Sequence, residues 1–550
     1  MRKLRTAVWN LKRAALGGLF LVCACSAPSG SGTAGEQATE GGAAIAGSES
    51  AAPDAAASGT PAAASGFGID DVRARARDLA LQPYVPPEGL PKGMPDLDYD
   101  QYRRIQNRSE AAIWPQAAAE PGAGETPDIA SGFRVLPDPR GYLFHQAIRL
   151  NLVEDGKVIA RTASARDFDF QDLPVPNRLK GVVGFAGFRI LSVLNQPGKF
   201  DELVSFKGAS FFRALGAGTV YGASARGLSI GTASPDGEQF PHFAEFWLVR
   251  PAPDGPSMTV YALMDGESIT GAFEFTITPG AETRTDVSAQ FFPRRELTSV
   301  GIAPLTSMYF FSPHDLRKYP DDFRPAVHDS EGLRIHMHNG EWVWRPLINP
   351  QSLQISVLAT AVPKGFGLVQ RRRGLEAFAD VEADYHRRPN VWIEPFSGWG
   401  EGHLSLVEIP TANEYNDNIV AFWKPAAPWQ PGEAYTLSYT MQWSLTAPPS
   451  PEVFPVAGTR SGKTPDRRRQ LFVIDYDTAG ETLPDNIEAS ISTSSGAIFN
   501  PNIKRHAETG KTRLTFELGA EGADVAELRA LLTSGGKPIS ETWLYRWRPE

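Results

Sequence analysis

Short runs of alternating apolar and polar residues constrain this chain more than any other feature in it. They include "YLFHQAIRLNLV", "SMTVYALMD", "GAFEFTITPG", "LQISVLATAV", "NIVAFWKP", "AYTLSYTMQWSL", "RQLFVIDYD", "TRLTFELG" and "ETWLYRWRP", separated by Gly, Pro, Asn and Asp. A period of two puts apolar side chains on one face and polar ones on the other, the signature of half-buried antiparallel strands. The number and spacing of the runs predict large β-sandwiches and a mainly β protein. One segment departs from this pattern. "GIDDVRARARDLALQPY" has acids at its start and apolar residues at helical spacing, which predicts a helix. A chain of 550 residues is too long for one small core. The proline-rich stretch "KPAAPWQPGEA" at 424–434 is the best candidate for an interdomain joint, and the strands of 435–550 fit an immunoglobulin-like sandwich.

The N-terminus has a different texture. "MRKLRTAVWNLKRAA" carries five basic residues and leads into the short apolar run "LGGLFLVCAC". That order of segments reads as an export signal, too short to remain as a membrane span. Both cysteines of the chain, Cys23 and Cys25, close the run, so the mature protein has no internal disulfide. "VCAC" is an imperfect lipobox with Cys25 as the candidate for lipidation; ordinary cleavage near Ala24 or Ala27 is the alternative. The Ala/Gly/Ser-rich stretch that follows has almost no large apolar residue and is expected to form a disordered tether. The expected organisation is a signal over 1–27, the tether over 28–66, a large β-sandwich over 67–424, a linker over 425–434 and an immunoglobulin-like unit over 435–550.

Charge and motifs exclude several functions. A net charge of −9 without any basic stripe argues against a nucleic-acid partner. The arginine runs 371–373 and 467–469 read as solvated or paired surface. There is no Walker loop, dinucleotide-binding glycine fingerprint or nucleophile elbow. His336 and His338 share a face of a strand, with His328 nearby, but such a pair is better explained by an exposed hairpin than by zinc; no metal and no cofactor are expected.

The stretch "DDFRPAVHDSEGLRIHMHNGEWVWRPL" at 321–347 combines acids, bases and tryptophans, and more of the same follows: Trp342, Trp344, Arg345, Trp392, Glu394, Trp399, Glu401, Glu408, Glu414 and Asp417. Sugars present apolar CH faces for stacking and hydroxyls for bidentate hydrogen bonds, so their clefts mix aromatic with charged side chains. Ordinary core packing is the competing explanation for each tryptophan taken singly. Glycoside hydrolysis requires two carboxyl groups, one protonated and one ionised. Residue types alone do not select the pair.

The blocks "LDYDQYRRI", "FRILSVLN", "KGASFFRALG", "YGASARGLSIGTA", "FPHFAEFWLVRP", "YALMDGESITGAFEF", "DFRPAVHDSEGL", "NGEWVWRPLINP", "PKGFGLVQR", "RPNVWIEP", "WGEGHLSLVEIPT", "NDNIVAFWKP" and "ETWLYRW" occur in order from Phe67 to Trp547. In this the chain resembles the bacterial periplasmic glucans biosynthesis family, the G and D proteins of osmoregulated glucan synthesis. The resemblance implies a galactose-mutarotase-like β-sandwich followed by an immunoglobulin-like one, export to the periplasm, and action on a β-1,2-linked glucose backbone. Some members are inverting endo-β-1,2-glucanases; a non-catalytic glucan-binding or assembly factor is the alternative. By resemblance Asp329 in "VHDS" matches the general base, acting through a chain of waters, and Asp417 in "NDNIVAFW" the general acid. Tyr385 in "DYHRRP" and Glu414 in "NEYND" match neighbouring positions that order water or the acid. Arg226, Trp342, Trp344, Arg345, Trp399 and Glu401 are the expected substrate contacts. "DSEGL", with Glu331, departs from the more usual "DSDGL" but leaves Asp329 intact. The expected partner is the glucan; a lipid tether through Cys25 and a homodimer are left open.

Overall fold

A computed structural model describes residues 66–114, 132–252, 255–315, 319, 321–450 and 452–549. The signal segment, Cys23, Cys25 and nearly all of the tether lie outside the described residues. The protein is mainly β: a sheet of ten strands, one of fifteen and one of four account for most of it, with two small two-stranded pairings. The acid-capped helix forms over Ile69–Ala80 and buries Val72 and Ala76 against Trp247, Ala272 and Phe292.

The ten- and fifteen-stranded sheets enclose the larger core. Phenylalanines at alternate positions meet across the gap: Phe206 and Phe212 of one sheet lie 5.2 Å from Phe275 of the other, and Phe188 lies 4.9 Å from Phe246. A second core lies between the four-stranded sheet and the far end of the large one, where Phe472, Phe516, Trp543 and Tyr545 pack together.

The chain passes from one core to the other later than expected. The proline-rich segment before residue 435 is a turn within the first unit. Strand Tyr435–Ser444 lies between strands Glu282–Pro293 and Asn390–Ser397. Its Leu437, Tyr439, Met441 and Trp443 all enter the larger core, which fixes the strand there despite the prolines that precede it. The two cores also share a sheet, because strand Trp342–Pro346 pairs in parallel with strand Thr542–Trp547 through Val343–Thr542 and Trp344–Trp543.

The two faces of the ten-stranded sheet are unlike. Phe206, Phe212, Ala225, Leu305 and Ala421 face the core. Residues one position away face outward, and cross-strand pairing puts opposite residues on the same side. Ser205 pairs with Arg213, Phe211 with Arg226 and Thr306 with Ser224, so the outer face carries a polar row that includes two arginines.

Candidate active site

Asp329 and Asp417 are 88 positions apart in sequence and reach one place through a single short segment, Ser307–Tyr309. The Asp329 amide donates to the Met308 carbonyl at 2.9 Å, directly after the two-residue strand Val327–His328, which pairs with Tyr309–Phe311. On the other side the Asn418 amide donates to the Ser307 carbonyl at 3.1 Å, and the Asn418 side chain accepts from the Tyr309 amide at 2.8 Å. Asn418 is therefore the anchor that holds Asp417 at the mouth of strand Ile419–Pro425. The Ser307 hydroxyl adds a 2.8 Å bond to Ser330.

Two arginines from elsewhere in the chain complete the site. Arg388 approaches Asp329 to 3.4 Å while its other nitrogens bond to the carbonyls of Tyr221 and Ala383. Arg213, buried on the outer face of the ten-stranded sheet and bonded to the Ser224 hydroxyl at 2.6 Å, acts electrostatically on both acids.

Burial raises the Asp417 carboxyl to about 6; Arg213 opposes the rise and the neighbouring Asp329 charge adds to it. Burial also raises Asp329 above the ordinary aspartate value, opposed first by Arg388 and then by Arg213. Asp417 can thus hold a proton up to about pH 6, while the rise of Asp329 is opposed by an arginine of its own at 3.4 Å. Two carboxyl groups whose surroundings favour different protonation states can divide acid and base roles.

Tyr385 is buried, with the Arg388 guanidinium 5.3 Å from its ring centre. Burial, with Glu414 and Asp329 adding to it, lifts its hydroxyl well above 10, so it stays a proton-bearing group throughout the working range. Glu414 lies 2.6 Å from Arg324, which also binds Asp322 at 2.8 Å and Asp380 at 3.0 Å. One guanidinium therefore ties together three loops, among them the one that carries Asp417.

Several buried polar atoms near the acids have no hydrogen-bond partner among the described residues: the Tyr221 hydroxyl, Arg226 Nε, Arg388 Nε and Asn416 Oδ1. Such groups are uncommon in folded proteins, and all four atoms are closed to solvent. Residues 67–547 match the family model described as periplasmic glucan biosynthesis protein, MdoG. The chain belongs to this family. It is 42% identical over 486 residues to glucans biosynthesis protein G 1 of Shewanella oneidensis, covering 88% of this chain and 87% of the relative. It is 41% identical, with the same coverage, to glucans biosynthesis protein G of Vibrio cholerae serotype O1.

Of the other candidates in this MdoG-family chain, Trp344, Arg345 and Trp399 are closed into the interior. Trp344 is buried in the second core, with Arg371 stacked 3.7 Å from its ring centre, because its strand is paired on both sides, by Gly332–His336 and by Thr542–Trp547. Arg345 is sealed in a 3.0 Å ion pair with Glu408. Trp399 is buried in the first core, its indole donating to the Ser438 carbonyl at 3.0 Å. These three offer almost no surface to a sugar. Trp342 is half-buried, stacked 4.1 Å from His336 and 4.2 Å from Arg334, while Glu401 is exposed on the loop after Trp399. Arg226 lies on the polar outer face and acts electrostatically on Asp417. Glu331 is held by Arg372 at 3.0 Å. Arg213, Arg324, Arg388 and Asn418 were not singled out from sequence. The signal for Arg213 is a lone charge in the apolar run "SFFRAL".

Proposed function

We propose that this protein is an inverting, endo-acting glycoside hydrolase of the periplasm that cleaves the β-1,2-glucan backbone. The family description names periplasmic glucan biosynthesis, and its relatives carry the name glucans biosynthesis protein G. The observation that supports a catalytic role is the convergence of Asp329 and Asp417 on Ser307–Tyr309, with Arg213 acting on both.

In this reading Asp417 gives its proton to the departing glycosidic oxygen as the bond to the anomeric carbon breaks. Water attacks the opposite face of that carbon and passes its proton toward Asp329. The product carries the inverted configuration, and the two carboxyl groups end with their charges exchanged. Arg388 keeps Asp329 ionised before the step, and Tyr385 and Glu414 order the groups around it. Export follows from the N-terminal signal, with lipidation of Cys25 as the tethered form and cleavage nearby as the soluble one.

The test is to incubate the purified protein with linear β-1,2-glucan and follow new reducing ends, with the first-formed anomer read by NMR. New ends appearing within the chain as the α-anomer are expected. First-formed β-anomer overturns inversion, and binding without new ends favours the assembly-factor reading.

A further inference from the structure

Of the tryptophans among the described residues, only Trp114, Trp342 and Trp547 are not fully buried. Trp342 is already stacked on His336 and Arg334, whereas Trp547 lines a cavity of about 570 Å³. That volume is ordinary for a small-ligand site, and seams between folded units are where such sites gather. This cavity lies at the seam of the two cores. The first unit supplies His314, Asp315 and the segment 348–352; the second supplies Ser461, Gln470 and the end of strand Thr542–Trp547. That strand puts Trp543, Tyr545 and Trp547 on one face. Trp543 and Tyr545 stack 5.3 Å apart inside the second core, and the aromatic row comes out of the core at half-buried Trp547.

The floor of the cavity is preformed. Buried His314 is held by the Ser312 hydroxyl at 2.8 Å and the Tyr309 hydroxyl at 3.0 Å, and the Asp315 carboxylate accepts the Ser312 amide at 2.6 Å. Across the seam the Ser461 hydroxyl donates to the His314 carbonyl at 2.7 Å, which fixes one wall against the other. The mouth is polar and open. Gln351, Ser352 and Arg548 are all exposed there, with Arg548 3.3 Å from the Ser352 hydroxyl. Beside them Arg546 is held by Glu527 at 2.5 Å and by the Ile355 carbonyl at 2.9 Å. Two arginines, Arg546 and Arg548, stand against two aspartates, Asp315 and Asp524, so the lining favours an uncharged ligand. An indole at the wall and amide, hydroxyl and guanidinium groups at the mouth suit a ring with one CH face and hydroxyls at its edge, which is a pyranose.

We propose that this cavity is a second saccharide site, separate from the acid pair, in which Trp547 stacks on a glucosyl unit and the side chains at the mouth bond its hydroxyls. The choice of glucan as the ligand rests on the reading of the protein as a glucan hydrolase; the site itself rests on the cavity. Two grips on one polymer raise the overall affinity for long chains through effective concentration, and they keep a chain on the protein after one end has been released.

The test uses the full chain carrying Asp417→Asn to suppress turnover, with short β-1,2-linked glucose oligosaccharides titrated calorimetrically. Trp547→Ala is compared in that background, with melting curves as a check on folding. Two sites per chain are expected in the parent. Trp547→Ala should weaken one of them by about tenfold, roughly 1.4 kcal/mol for one lost stacking contact, and leave the other as it was. A single site that Trp547→Ala leaves alone, or equal weakening of two, overturns the seam site and leaves the acid-pair reading standing. If the unsubstituted chain cuts no glucan while Trp547→Ala still removes a site, the acid-pair reading falls and the seam site stands. Failure to bind any oligosaccharide overturns the seam site whatever turnover shows. Should Trp547→Ala fail to fold, Ser352→Leu, at the exposed mouth, decides by weakening the same site or not.

Discussion

Two buried acid–arginine pairs in this protein are built differently. Arg345 and Glu408 are 3.0 Å apart and almost wholly sealed; the second carboxylate oxygen of Glu408 accepts the Ile348 amide at 2.9 Å, and Arg345 also bonds to the Pro346 carbonyl. Asp329 and Arg388 are 3.4 Å apart, the arginine Nε makes no hydrogen bond of good geometry, and both side chains retain some exposure. Burial raises both carboxyl groups, so direction of shift alone does not tell the pairs apart. Saturation does. A pair with every bond made inside the protein holds strands together, whereas a pair with bonds left over can exchange partners with water and substrate.

The largest effect expected is on turnover: Asp417→Asn should lower the rate on natural glucan by roughly 10²- to 10⁴-fold, the usual contribution of a positioned general acid. A substrate with an activated leaving group should be partly spared, and equal losses on both substrates would remove Asp417 from the acid role. Next is Glu408→Gln, which leaves Arg345 buried without its counter-charge and should cost about 3–5 kcal/mol, read as a fall in Tm of several degrees or more. Asp417→Asn should move stability the other way above pH 6. A folded-state pKa of about 6, raised from 3.8, means that the native protein binds the proton more tightly than the unfolded chain, so wild-type stability falls as pH rises through that window. The Asn variant has no such loss, and matching Tm losses in the two variants would end the distinction between the pairs. The smallest effect is the pH profile. Turnover should fall about tenfold per unit above pH 6 as Asp417 loses its proton. It should fall again at low pH, from a point above the ordinary aspartate value, as Asp329 gains one.

Much of the fold could be read from the period-two runs, because a half-buried strand must alternate. The location of the joint could not. The run "AYTLSYTMQWSL" alternates equally well in either sheet, and only its partners, 144 to 162 residues earlier in the case of Glu282–Pro293, decide the question. Trp344 and Arg345 show the same limit. "WVWRP" predicts a strand with two tryptophans toward one side, but not that a strand from the far end of the described chain covers it. The family blocks pointed to Asp329 and Asp417 because each acid sits in a distinctive local motif. Arg213, Arg324 and Arg388 lie in those blocks as well, yet only Arg213, a lone charge among apolar neighbours, has a local signal; nothing local separates Arg324 or Arg388 from an arginine paired at the surface.

Arg324 has a consequence for how the site meets a change of medium. Its three carboxylate partners hold its proton more firmly than usual, so its charge is constant at any pH in which the protein is folded. The group that does titrate, Asp417, is three residues beyond the clamped Glu414. A change of pH near 6 therefore changes the charge on Asp417 without changing that of the guanidinium that holds its loop. Position and charge are set by different residues, so under the proposed reading turnover can be switched off chemically while the site remains assembled.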